Sequence, residues 1–169
     1  SNEKVLIKLG AVKLDKNDLA GAEQALMAAL SFEPRNHEAN FYRARVKSRR
    51  AEHTQAIESM RAALDAAPDN PHYHYEMGII YREARKMSEA MAEWKATIEL
   101  DPTYAEALEA LGQAHLDRGE FEEAIKEFEA ALEVDPSRAR LHSLIGDAHF
   151  QAAQWDQAVK RYRAALQSD

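Results

Sequence analysis

Four of the five prolines, Pro34, Pro68, Pro102 and Pro136, are separated by 34 residues each time. A spacing held this strictly marks a chain of near-copies of one supersecondary unit, which cannot bury its apolar face alone and must stack on its neighbours. Phased on these prolines, the 169 residues divide into repeats at 3–36, 37–70, 71–104 and 105–138 and a partial fifth at 139–169. Numbering positions within the unit, position 8 holds Gly10, Ala44, Gly78, Gly112 and Gly146, and position 20 holds Ala22, Ala56, Ala90, Ala124 and Ala158. Both columns contain only small residues. Position 24 is bulky throughout: Leu26, Met60, Trp94, Phe128 and Tyr162.

Each unit reads as two amphipathic helices. In the fourth, Leu108, Leu111, Gly112 and His115 stand at helical spacing, Arg118-Gly119-Glu120 interrupts, and Phe121, Ala124, Ile125, Phe128, Ala131 and Leu132 resume it. Small residues at positions 8 and 20 allow close backbone approach, and the large residue at position 24 is expected to fill space against the neighbouring unit. The periodic proline stops the second helix and pushes the preceding residue out of helical dihedrals. Asn70 before Pro71 is a predicted N-cap with proline at the first helical position. Helices are predicted near 3–15, 18–31, 37–49, 52–65, 71–84, 87–99, 105–117, 121–133, 139–152 and 155–167.

These columns resemble the tetratricopeptide repeat along essentially the whole chain. Repeat four is similar to the family consensus at Leu108, Leu111, Gly112, Ala124, Phe128, Ala131 and Pro136. The resemblance implies an all-α, right-handed superhelical solenoid of antiparallel helix pairs, one array over 1–169. First helices would line a concave groove that binds a protein or peptide, with no catalysis and no cofactor. Repeat two departs from the pattern: Asn40, Arg43 and Lys47 occupy places usually apolar, so its first helix is expected either to rotate or to snorkel long stems past the core, at a cost in local stability. The fifth repeat stops at Asp169 with no polar helix after it; Ile145, Val159 and Leu166 are expected to face a missing neighbour in part, inviting self-association or a native continuation.

The groove-lining positions of the family are roughly 2, 5, 9, 12 and 13. They place Glu38, Phe41, Arg45, Ser48 and Arg49 from repeat two beside His72, Tyr75, Ile79, Arg82 and Glu83 from repeat three. Repeat four adds Glu106, Glu109, Gln113, Leu116 and Asp117, so the groove turns from basic and aromatic to acidic. Such a surface suits a partner with an acidic stretch and an apolar anchor, met by arginine forks and by Phe41 or Tyr75. The competing expectation is that Arg45, Arg49 and Arg82 pair with Glu38, Glu76, Glu83 or Asp117 as a solvated face. Family members that hold chaperone C-terminal carboxylates use Lys and Asn, then Asn, then Lys and Arg on successive groove helices. From repeat one the corresponding residues are Ile7, Ala11, Tyr42, His72 and Glu76, and the frames starting at repeats two and three match no better, which argues against that activity.

The remaining features narrow the chemistry. No Cys is present, which removes disulfides, thiolate metal sites and cysteine nucleophiles. The seven histidines make no helical i, i+4 pair; His72 and His74 point to different faces, and His115 and His149, at position 11, are expected to replace aromatic packing residues rather than bind metal. Repeat four alone carries 3 basic against 10 acidic residues, which accounts for the net charge of −7 of the whole chain. That balance argues against nucleic-acid binding. The longest stretch without Asp, Glu, Lys or Arg is Gln24 to Phe32, far below the roughly 20 residues of a membrane span. A cytoplasmic setting is expected, with the periplasm left open, and Ser1-Asn2 resembles a tag-cleavage scar behind which a targeting segment could have stood. The leading expectation is a binding scaffold of bacterial type. The alternatives are an assembly module of a secretion, pilus or motility apparatus, or an accessory domain of a larger enzyme.

Overall fold

Among the described residues ten helices follow one another: α1 (Asn2–Asp15), α2 (Leu19–Phe32), α3 (His37–Arg49), α4 (His53–Ala66), α5 (Pro71–Glu83), α6 (Met87–Leu100), α7 (Ala105–Asp117), α8 (Phe121–Val134), α9 (Arg140–Gln151) and α10 (Trp155–Gln167). This is a computed structural model that describes residues 2–167. Every boundary falls within one residue of its predicted place, and among the described residues all regular structure is helical. The last two residues of the fifth repeat, 168–169, lie outside the described residues.

Local chemistry sets these boundaries. The side chains of Asp18, Asn36 and Asn70 accept the first free amides of α2, α3 and α5, and Pro71 opens α5 behind Asn70. At the other end, Glu33 and Asp135, each followed by the periodic proline, are extended, with φ of −137° and −138°. Asp101 and Asp135 then fold back to accept the amides of Thr103 and Ser137, and these side-chain and backbone hydrogen bonds hold both carboxyls below the usual aspartate range.

Position 15 supplies a feature the periodicity did not show. Asn17, Ala51, Arg85, Gly119 and Ala153 all sit at positive φ, between 58° and 75°, although only one is glycine. The next residue's amide reaches back five residues to a carbonyl, as in Glu52 to Lys47 at 2.9 Å and Glu120 to His115 at 2.9 Å, which closes the helix as a Schellman turn. The same pairs are joined through their side chains: Lys47 to Glu52, His115 to Glu120 and His149 to Gln154. His115, which is buried, and His149 therefore also staple turns, a role their shared position did not announce. Because alanine pays a steric penalty in this conformation that glycine does not, Ala51→Gly should stabilise the protein by about 0.5–1 kcal/mol. A urea midpoint that stays put or falls would count against strain at Ala51.

The chain forms two compact units, Ser1–Glu93 and Trp94–Asp169. In the first, Leu14, Ala22, Leu26 and Val46 form one apolar cluster, and Ile7, Ala29 and Ala39 form another. In the second, Leu108, Phe128, Leu141 and Ile145 anchor a single cluster shared by α7, α8 and α9. Position 24 has a second task besides contact with the next repeat. A β-carbon built on Gly10, Gly112 or Gly146 would lie 2.6–2.7 Å from Leu26, Phe128 or Tyr162 respectively, so each large side chain is seated on the glycine of its own repeat. Tyr162 also donates to Asp147 at 2.8 Å, and its phenol is pushed up to about 12, by burial first and by that carboxylate second.

Repeat two does not rotate, and of the three polar residues Asn40 and Lys47 are buried whole while Arg43 is half-buried. Ala44 and Val46 are fully buried in the expected register, and Asn40 is buried with its amide donating to the carbonyls of Pro34 and Asn36. Lys47 is buried too, its ammonium 2.6 Å from Glu23 and 2.8 Å from Glu52. The expected exposure of Ile145 is also corrected: it is completely buried in the second unit's cluster.

Candidate functional site

The first unit carries the most developed surface feature among the sequence-derived residues. Helices α3 and α5 are the first helices of consecutive repeats and lie side by side. Arg45, Ser48 and Arg49 from α3 face Glu76, Ile79 and Glu83 from α5 across a recess of about 150 Å³, with buried Ile80 contributing to its wall. Ser48 donates to Glu83 and ties the two helices at one end of the recess.

Toward the other end lies a set of packed rings. Phe41 stacks on Tyr73 with centroids 4.7 Å apart and an interplanar angle of 19°, while Tyr42 and His72 approach it at 5.2 and 5.3 Å. The Tyr73 hydroxyl is 2.8 Å from His37 Nδ1. Burial, with the Glu38 charge secondary, pushes the Tyr73 phenol up to about 12, so it stays neutral at ordinary pH. Phe41 is 5% exposed, so its ring supports the surface rather than offering free contact area.

The arginines divide. Arg45 places its guanidinium carbon 5.7 Å from the Phe41 centroid, a cation–π contact, and makes no ion pair among the described residues. Arg49 donates to the Leu14 carbonyl at 2.7 Å in the last turn of α1, a carbonyl that also accepts the Asn17 amide at 2.9 Å. Neither forms the carboxylate pairs of the competing expectation. Tyr75 is half-buried and Arg82 exposed on α5, both with interactions of their own and neither lining this recess.

In the second unit the acidic residues are bound internally. Arg138 meets Glu106 at 2.5 Å and Glu109 at 3.0 Å, and Arg140 meets the other Glu109 oxygen at 2.9 Å. Gln113 donates to Asp117 at 2.8 Å. Glu106 and Glu109, expected to line the groove, thus have Arg138 and Arg140 as partners that were not anticipated, although Arg140 lies at position 2, itself a groove-lining position. Glu76 and Ile80, at positions 6 and 10, line the recess although neither belongs to the expected groove-lining positions 2, 5, 9, 12 and 13.

His74 is held by Glu93 at 2.7 Å and by the Pro68 carbonyl at 2.9 Å, while His72 lies against Phe41. Among the described residues no group of three or more His, Asp or Glu side chains could hold a metal ion, and no helix is long and apolar enough to cross a membrane.

Paired helices on a 34-residue period, closed by a positive-φ turn within the pair and a proline after it, define a helical-repeat protein. Family models specify which kind. One described as tetratricopeptide repeat matches residues 7–71 and 43–105, another of the same description matches 93–126, and one described as TPR repeat matches 112–152. The chain belongs to the tetratricopeptide repeat family.

Solved structures share the fold. The protein is similar to a crystal structure of MamA, at 24% identity and a TM-score of 0.89, covering 99% of this chain and 91% of that one. It is similar to PilF of Pseudomonas aeruginosa at 22% identity and 0.85, covering 99% and 77%. It is also similar to YrrB, described as a TPR protein with an unusual peptide-binding site, at 20% identity and 0.81, covering 97% and 84%. No curated protein sequence matches the chain.

Proposed function

We propose that the protein is a non-catalytic interaction scaffold and that the recess between α3 and α5 receives a short segment of a partner protein. The observation that carries this is Arg45, a guanidinium without a carboxylate partner among the described residues, held over Phe41 at the edge of a recess that also contains Ile79. A planar fork kept in place by an aromatic ring loses little freedom when a carboxylate or main-chain carbonyl arrives. Ile79 gives an aliphatic side chain somewhere to be buried, and Glu76 and Glu83 disfavour a second acidic residue beside it. The preferred segment is therefore one acidic residue next to one aliphatic residue, a narrower class than the acidic stretch with an apolar anchor expected from the groove-lining positions. The family membership and the peptide-binding description of YrrB support a scaffold of this type.

Panning a displayed random-peptide library against the folded protein tests it. Enriched peptides should carry the acidic–aliphatic pair, and Arg45→Ala should weaken them about tenfold, the loss of one charge-assisted contact. Ile79→Ser should weaken them comparably, and circular dichroism should confirm that both variants are folded. Peptides that bind all three proteins equally, or no enrichment at all, would remove the recess as the binding surface.

A further inference from the structure

The recess between α3 and α5 is formally neutral, with Arg45 and Arg49 on one wall against Glu76 and Glu83 on the other. Its four charges are not equally available. Arg49 donates to the Leu14 carbonyl, and Glu83 accepts from Ser48. Arg45 lies over the Phe41 ring, and among the described residues neither Arg45 nor Glu76 forms a hydrogen bond or an ion pair, with each other or with a third group. One cation and one anion are left open to a ligand, on opposite walls.

The repeat register sets their order along the recess. Because α3 and α5 hold the same place in consecutive repeats, Arg45 and Ile79, both at position 9, stand at one level. Glu76 precedes Ile79 by three residues, which at about 1.5 Å per residue is about 4.5 Å toward the start of the helix. Ser48 and Glu83, at positions 12 and 13, lie on the other side of that level, where their hydrogen bond ties the walls together. An extended segment advances about 3.3 Å per residue, so the side chain that meets Glu76 is one or two residues from the one that meets Ile79.

We infer that, given the recess as the binding surface proposed above, its ligand is dipolar: an acidic residue on Arg45, an aliphatic residue on Ile79 and, on the far side of the aliphatic residue, a basic residue on Glu76. Glu76 is half-buried, and a segment that covers it without bringing a cation removes its water and returns nothing. A wholly acidic segment gains at Arg45 and loses at Glu76, and a wholly basic one does the reverse. Only a segment carrying both signs, separated by its apolar residue, satisfies both walls. Glu76 is thus the specificity-determining residue, which selects among the segments that Arg45 and Ile79 admit.

Fluorescence anisotropy with labelled, end-capped peptides tests it. One peptide carries aspartate, leucine and lysine in succession, a second has the same composition with the lysine moved to its far end, and a third has glutamate in place of the lysine. The unmodified protein should bind the first about fivefold more tightly than the second, the upper end for a partly exposed ion pair, and the third most weakly. The first two peptides have equal net charge, so the overall charge of −7 does not distinguish them. Glu76→Gln should bring these two to equal affinity, and Glu76→Lys should invert the order so that the third binds best, both with unchanged helical circular dichroism. Arg45→Ala should weaken all three. If no peptide binds, or if binding is indifferent to Arg45→Ala, the recess is not the binding surface and both readings fall. If binding requires Arg45 but the place of the lysine makes no difference, or its preference survives in Glu76→Gln, the acidic–aliphatic reading stands and the dipolar one is overturned.

Discussion

Phe128→Ala should destabilise the second unit by about 4 kcal/mol, within the usual range for emptying a phenylalanine site in a packed core. Phe128 is completely buried, belongs to the cluster joining α7, α8 and α9, and rests on Gly112. The informative experiment adds Gly112→Ala. In the unmodified protein that β-carbon would lie 2.7 and 2.8 Å from two Phe128 ring carbons, so overpacking should cost about 1–3 kcal/mol. Once the ring is gone, the closest remaining neighbour is the Ala124 carbonyl at 3.3 Å, and the helix gain of alanine over glycine, about 0.5–1 kcal/mol, should prevail. Gly112→Ala should therefore change sign, destabilising the original protein and stabilising Phe128→Ala. Urea unfolding followed by tryptophan fluorescence reads this directly, since Trp94 and Trp155 both belong to the second unit. Additive effects would mean that the glycine column has a cause other than the residue at position 24.

The helix boundaries were legible because residues that act locally mark them. Asn70-Pro71 and the periodic prolines dictate dihedrals wherever the chain places them. The small and large columns were equally visible, since packing at fixed separation restricts side-chain size. What was not visible depended on which neighbour a side chain meets. Phe41 was expected as a groove aromatic but lies beneath Tyr73, because position 3 of the following repeat holds a ring where repeats two and four hold Ala39 and Ala107. The positive φ at position 15 was hidden because only Gly119 announces it; Asn17, Ala51, Arg85 and Ala153 adopt the same conformation under the constraint of the turn's hydrogen bonds. Side-chain links five residues apart, such as His115 to Glu120, became legible only when the turn brought their ends together.

Lys47 is the residue whose sequence position was most misleading, and its replacement should be correspondingly informative. Its ammonium is surrounded by Glu23 from α2 and Glu52 beside the α3–α4 turn, and Glu23 is shared with Arg50. Lys47→Met leaves Glu23 partly buried with one cation instead of two, which should cost about 3 kcal/mol, the lower end for breaking a buried pair because Arg50 stays. The pH dependence distinguishes loss of the ion cluster from loss of packing. The hydrogen bond from Lys47, more than any other contact, holds the Glu23 carboxyl below the ordinary glutamate range. Its contribution is present above the unfolded value of about 4.3 and is lost as pH falls through the lower folded value. The Lys47 ammonium is raised above the ordinary lysine value, by hydrogen bonds to Glu23 first and Glu52 second. That contribution is full below about 10.4 and is lost as pH rises through the folded value. The stability difference between the original protein and Lys47→Met should thus be flat across the neutral range and shrink at both extremes. Adding Glu23→Ile, which gives repeat one the residue that Ile57 and Ile125 supply at position 21, should recover most of the loss, since a whole ion cluster can be exchanged for apolar packing far more cheaply than half of one. A difference that does not vary with pH, or a double variant no more stable than Lys47→Met, would show that the lysine stem, not its charge, holds α2 and α3 together.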